Sequence, residues 1–125
     1  MKIERVDVTT QNVDIDAAFN ISTRISKPGP PQRVAGMTLG IVEMTSNAPH
    51  GGEVHPDGDE FLHVISGRVE VTGDSSPEGI VLNAGDSCIV RANEWHKVNV
   101  LEPTRLLHIT PGPHGDHRPL PTEAE

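Results

Sequence analysis

Glu53 and His55 lie two residues apart, Glu60 follows a four-residue spacer of turn formers (Pro56, Asp57, Gly58, Asp59), and His96 comes after a glycine-punctuated strand region. In an extended chain side chains two apart share a face, so Glu53 and His55 project together while Val54 points away. A strand carrying E-x-H, a tight loop and a returning strand that opens with Glu60 converge three ligands in little space. Imidazole nitrogen and carboxylate oxygen suit one divalent ion: Fe, Mn, Zn, Ni or Co. Two arrangements follow. In one, Glu53, His55, Glu60 and His96 all bind the metal, and two carboxylates neutralise a divalent ion. In the other, His55, Glu60 and His96 form a two-His-one-carboxylate set with open positions, and Glu53 is a catalytic general base beside the substrate. E-x-H on a strand is common by itself; Glu60 and His96 at their spacings make it a site.

The stretch from Glu53 to Gly67 resembles the first signature of the cupins, H-x-H-x(3,4)-E-x(6)-G, matching at His55, Glu60 and Gly67 with Glu53 in place of the first His. The second signature, G-x(5)-P-x-G-x(2)-H-x(3)-N, is echoed between Gly85 and Asn99: Arg91 stands for its Pro, Asn93 for its Gly, His96 keeps its place, and Asn99 falls one residue early. The resemblance spans roughly residues 34 to 111. It implies a small single-domain cupin: an all-β double-stranded β-helix, or jelly-roll barrel, with one divalent metal inside and a homodimer built through an N-terminal arm. Cupins include dioxygenases, isomerases, epimerases, lyases, decarboxylases and non-catalytic binding proteins, so the fold leaves the reaction open.

The elements that must position these groups are short. Twelve glycines and 11 prolines among 125 residues separate brief apolar runs, as a many-stranded all-β domain requires. Strands are expected near Lys2–Val8, Asn20–Ile25, Gln32–Thr45, Gly52–His55, Glu60–Ser66, Arg68–Thr72, Gly79–Leu82, Ser87–Val90, His96–Leu101 and Arg105–Thr110, with Gly67 as a turn. Residues 1–31 read as a strand arm and Pro-rich connector, 32–111 as the barrel, and 112–125 as an irregular tail that wraps the surface or frays. Met37, Leu39 and Ile41 share a strand face and read as core.

A formal charge of −8 with no basic block argues against nucleic-acid and anionic-membrane partners. The partner expected is a small-molecule substrate. One cysteine, Cys88, in an apolar run excludes an intrachain disulfide, suggests a buried small hydrophobe and makes a reducing cytoplasm the expected location. No signal core or bilayer-length apolar run is present, so a soluble, unexported chain is expected.

Other residues compete for roles. Period two places His63 on the face opposite the ligands. His50 could bend inward through Gly51-Gly52 as a replacement first ligand, and His108 lines the barrel mouth if its even-numbered face points inward. His114 and His117 read as a solvated tail. Arg33, Arg68, Arg91 and Arg105 are candidates to orient a substrate carboxylate through two parallel hydrogen bonds; Arg91, near the barrel rim, is preferred. Arg91 and His108 are thus the expected substrate contacts. With Phe19, Phe61 and Trp95 as the aromatics and no Tyr, a small polar substrate fits better than a large planar one. The reaction expected is metal-assisted proton transfer, of isomerase or lyase type, on a hydroxy- or keto-compound. The rivals are an Fe(II) dioxygenase and a non-catalytic barrel that binds a small metabolite.

Overall fold

The computed structural model describes residues 2–29 and 32–121; the ends of the expected arm and tail, at Met1 and 122–125, and Pro30 and Pro31 of the connector lie outside the described residues. Among the described residues nine strands are formed: β1 (Gln11–Ile15), β2 (Ile21–Ile25), β3 (Gly36–Met44), β4 (Glu53–Val54), β5 (Glu60–Gly73), β6 (Ser76–Asn83), β7 (Ser87–Val90), β8 (His96–Gly112) and β9 (Asp116–His117). The strand pairings are antiparallel. Among the described residues no helix is long and apolar enough to cross a membrane.

The long strand β8 organises the barrel. It pairs with β3 from Gly36↔Gly112 to Met44↔Thr104, with β5 along most of its length, and with β4 at Glu53↔His96. On the far side of β5 lie β6 and β7, while β1 joins β3 and carries β2 as the outer edge. The N-terminal arm therefore folds onto its own barrel through β1.

Gly67 does not turn the chain back. β5 runs straight through it, and register shifts between Val64 and Val69 bend the strand instead. The buried positions change parity there, from Glu60, Leu62 and Val64 to Val69 and Val71, as one inserted residue demands. Gly67 has φ +91°, and a Cβ at this position would lie 2.6 Å from Thr104 Cα, so only glycine fits. The Thr104 hydroxyl ties the bend down by accepting from Arg68 N at 3.0 Å and donating to Glu102 O at 2.8 Å.

The core consists of Leu62, Val64, Val69, Val71, Leu82, Val90 and Leu106. Cys88 packs against it, and burial, with Glu60 nearby, raises its thiol to about 11. On β3 the buried face is Thr38 and Gly40, not Met37, Leu39 and Ile41 as the pattern suggested. Thr38 is buried because it donates to Asp14 Oδ1 at 2.7 Å, and Asp14 also accepts from Arg24 Nε at 2.6 Å, which staples β1, β2 and β3. A hydrogen-bonded polar cluster thus takes a place that apolar alternation assigns to the next residue over.

The strand expected at Lys2–Val8 is absent. Asp7 Oδ1 accepts from Thr9 N at 3.0 Å, and this Asx turn diverts the chain until β1 starts at Gln11. Over residues 112–121 the tail wraps the surface: β9 pairs with β4, Gly51 N donates to Arg118 O at 2.7 Å, and Arg118 forms a two-pronged ion pair with Asp74 while its guanidinium lies 4.7 Å from the Trp95 ring centre.

Candidate metal centre

β4 delivers Glu53 with its backbone between β8 and β9, opposite His96 on one side and His117 on the other. The loop from Pro56 to Asp59 then returns the chain to Glu60, the first residue of β5. Asp59 clamps this loop to the one that precedes β8, accepting from Ala92 N at 2.8 Å and from Arg91 at 3.0 Å. Asn93 N donates to His55 O at 3.1 Å, and Asn93 has φ +68°. The left-handed conformation explains how Asn serves where the resemblance called for Gly, since Asn adopts it more readily than other side chains do.

These contacts bring Glu53, His55, Glu60 and His96 together, with one ligand atom from each inside a mutual separation of 4.8 Å. Glu60 is the hub. Its Oε1 lies 3.0 Å from His96 Nε2 and its Oε2 lies 3.4 Å from His55 Nε2; Glu53 Oε1 stands 3.8 Å from both imidazoles. His96 donates Nδ1–H to Glu94 O at 3.0 Å, which turns Nε2 toward the cluster, and Thr110 donates to Glu60 Oε2 at 2.6 Å. The side chains of His55, Glu60 and His96 are 2–6% exposed, against 33% for Glu53.

The electrostatics are those of anions and cations held together out of water. Burial favours the neutral form of His55, but Glu53 and Glu60 outweigh it and lift the imidazole to about 9. His96 is raised likewise, by Glu60 above all, against the effect of burial. Burial would raise Glu60 and Glu53, yet the imidazoles hold both carboxyls below their usual range, Glu60 far below.

The residues fit a divalent ion. His55 Nδ1 and Nε2 are both buried without a hydrogen-bond partner, a costly state for a polar group unless another ligand completes it. Nε2 is the nitrogen that faces Glu53 and Glu60. Two imidazoles and two carboxylates form a donor set that such an ion neutralises and binds well.

Beside the cluster opens a cavity of about 330 Å³, walled by apolar residues including Ile41, Met44, Leu62, Val98 and Leu106, with Glu53, Glu60 and His96 at its base. His108 lines it because the inward face of β8 is the even one, along with buried Thr104, Leu106 and Thr110. Gly40 pairs with His108 across the ladder, and a Cβ there would lie 2.7 Å from His108 Nε2, so glycine keeps that space clear. Burial, with Arg33 nearby, lowers His108 to about 4.

Arg91 does not reach this cavity. Its side chain is 73% exposed and paired with Asp59, because the loop it occupies faces outward once Asp59 has clamped it. Arg33 lines the cavity instead. In the sequence Arg33 was one of four arginines able to orient a carboxylate, with nothing to set it above the others, and Thr110, which holds Glu60, carried no signal. His50 lines the cavity without joining the four-residue cluster, its Nδ1 accepting from Gly52 N at 3.2 Å. His63 Nδ1 contacts Ser87 Oγ at 2.6 Å and is not among the cavity residues. His114 pairs with Asp57 at 2.7 Å, and the His117 ring lies tilted at 49° to that of His50 with ring centres 5.9 Å apart.

The Cupin domain family matches residues 40–110. Among solved structures, a cupin-2 domain protein from Shewanella frigidimarina is 21% identical, with a TM-score of 0.51 over 61% of this chain and 71% of that one. The salicylate 1,2-dioxygenase of Pseudoaminobacter salicylatoxidans is 12% identical, with a TM-score of 0.56 over 66% of this chain and 24% of that one. The Mn(II)-containing oxalate decarboxylase of Bacillus subtilis is 23% identical, with a TM-score of 0.55 over 65% of this chain and 23% of that one. At these identities the likeness is one of fold. No curated protein matches the chain significantly in sequence.

Proposed function

The chain belongs to the cupin domain family, and on that premise we propose that it is a divalent-metal-dependent enzyme of isomerase or lyase type, transferring a proton on a small polar hydroxy- or keto-compound. Glu53, His55, Glu60 and His96 would hold one ion of Fe, Mn, Zn, Ni or Co. Such an ion, when bound, supplies Lewis acidity toward a carbonyl or hydroxyl oxygen.

The observation that carries this reading is the position of Glu53. It is the one cluster member that combines contact with both imidazoles, at 3.8 Å, with substantial exposure, and it borders the cavity. Its carboxyl is held below the usual range, so it is ionised at neutral pH and ready to accept a proton from a substrate carbon. Returning that proton to the neighbouring carbon completes an isomerisation; delivering it to a departing hydroxyl completes an elimination. Glu60 stays anionic through Thr110 and the imidazoles, and apolar side chains such as Leu62, Val98 and Leu106 wall part of the cavity beside it.

A second reading is favoured by the same looseness of Glu53. If it stays off the ion, His55, Glu60 and His96 leave open positions of the kind that Fe(II) dioxygenases use, and a salicylate 1,2-dioxygenase shares the fold. The homodimer also remains a proposal; the edge strand β2 supports it by exposing Ile21 and Ile25, 65% and 72%. The single cysteine suits a cytoplasmic setting.

The test is elemental analysis of untagged protein, followed by incubation with small hydroxy- and keto-compounds in D2O and proton NMR. One metal per chain and exchange of a carbon-bound hydrogen are expected, the exchange being lost in Glu53→Gln even after the variant's weaker site is resaturated with metal. Oxygen consumption with iron moves the dioxygenase to first place. Tight ligand binding without turnover, insensitive to chelators, supports the non-catalytic reading instead.

A further inference from the structure

Resting on the metal-centre reading above, the geometry points to a substrate class: we infer that the cavity selects a small carboxylate that bears a hydroxyl group, with Arg33 engaging the carboxylate and His108 Nε2 accepting from the hydroxyl.

The charges that face the cavity carry the first part. Two carboxylates of the cluster cancel a divalent ion, and its imidazoles are neutral when they ligate. What is left around the cavity is Arg33, Lys27 and Lys97, all cationic, in a chain whose net charge is −8. Arg33 makes no hydrogen bond or ion pair among the described residues, whereas Arg24, Arg91 and Arg118 each hold an aspartate. It is half-buried, and desolvation lowers its guanidinium even though the charges of Glu53, Glu60 and Asp14 act to raise it, so it lines the cavity as a cation with no side chain bonded to it among the described residues. A planar donor fork of this kind binds a carboxylate through two parallel hydrogen bonds.

The second part follows from counting protons along one chain of contacts. The Glu60 carboxylate only accepts, so the Thr110 hydroxyl spends its hydrogen on Glu60 Oε2 at 2.6 Å. The Thr110 oxygen, 2.8 Å from His108 Nδ1, must then accept from it. A neutral His108 that carries its proton on Nδ1 presents a lone pair at Nε2. Among the described residues Nε2 makes no hydrogen bond, and the missing Cβ of Gly40 leaves room beside it, a space that Asn12 Oδ1 also borders. An acceptor there matches a hydroxyl donor and disfavours a second anionic oxygen.

The test is calorimetric binding of lactate, glycolate, lactamide and acetate, before and after Mn(II) reconstitution, to wild type, Arg33→Gln, Arg33→Lys and His108→Phe, with metal content measured on each sample. Expected results are lactate or glycolate binding at least tenfold tighter than lactamide or acetate. Arg33→Gln should erase the preference over lactamide, Arg33→Lys should keep part of it, and His108→Phe should erase the preference over acetate. Unchanged lactate affinity in Arg33→Gln with metal retained overturns the inference and leaves the metal centre standing. Failure of all four probes to bind wild type also overturns it. Absence of metal in every sample sinks the functional reading, while the Arg33 dependence is still decided in the metal-free protein.

Discussion

Metal binding should be coupled to proton release, and its size follows from the cluster. His55 lies at about 9 because two carboxylates hold its charged form. At pH 7 only about 1% of that imidazole is neutral, and a metal must wait for the neutral form, a penalty of about 100-fold or ~2.7 kcal/mol. Between pH 6.5 and 8.5 the apparent Mn(II) affinity should therefore rise about tenfold per unit, about 100-fold in all, from His55 alone. His96 is raised as well, so between one and two protons should leave per ion bound. Titration calorimetry in two buffers of different ionisation enthalpy counts those protons directly. In Glu53→Gln one of the carboxylates that lift His55 is gone, so the pH slope should flatten at lower pH while overall affinity falls. A pH-independent affinity with no proton released in wild type would refute the reasoning, because it would mean that His55 is not held between Glu53 and Glu60.

In the metal-free protein the same imidazole should act in the opposite direction: its folded value is raised from 6.5 to about 9, so its stabilisation is fully present below about pH 6.5 and is lost as pH rises through 9. The loss should be of order 3 kcal/mol at most, read as a falling urea midpoint across that window. Glu60, which is depressed, adds stability above its ordinary range that disappears as pH falls well below it. Thr110→Val should leave the fold intact, yet weaken metal affinity about 10- to 100-fold by freeing Glu60 Oε2, whereas Glu60→Ala and His96→Ala should lose the metal altogether; elemental analysis separates the two outcomes. Gly67→Ala should destabilise the barrel by about 2 kcal/mol or more through its positive φ and the approach of Thr104, measured by urea unfolding. Ile21→Glu with Ile25→Glu should convert the proposed dimer to a monomer in sedimentation equilibrium, with the barrel's circular dichroism unchanged.

The sequence alone determined the strand-rich class, the order of the motifs and the four residues that converge: Glu53, His55 and Glu60 because their spacing is local, and His96 because it keeps its place in the second signature. Period two puts Glu53 and His55 on one face, Pro56 to Asp59 make the turn, and Glu60 opens the next strand. Only the tertiary structure decided what depends on distant segments. The arm became β1 and β2 because Asp7 starts a turn and Asp14 finds Arg24 and Thr38, partners that no window around Asp14 predicts. Gly67 looked like a turn, since a bulge and a turn ask for the same residue, and the choice belongs to the strand opposite, where Pro103 and Thr104 sit. Arg91 went outward to Asp59, and Arg33, brought in from the connector, faces the cavity in its stead. A ligand set written in adjacent strands is readable from spacing; the residues that surround a substrate come from different strands and loops, and only the closed barrel puts them side by side.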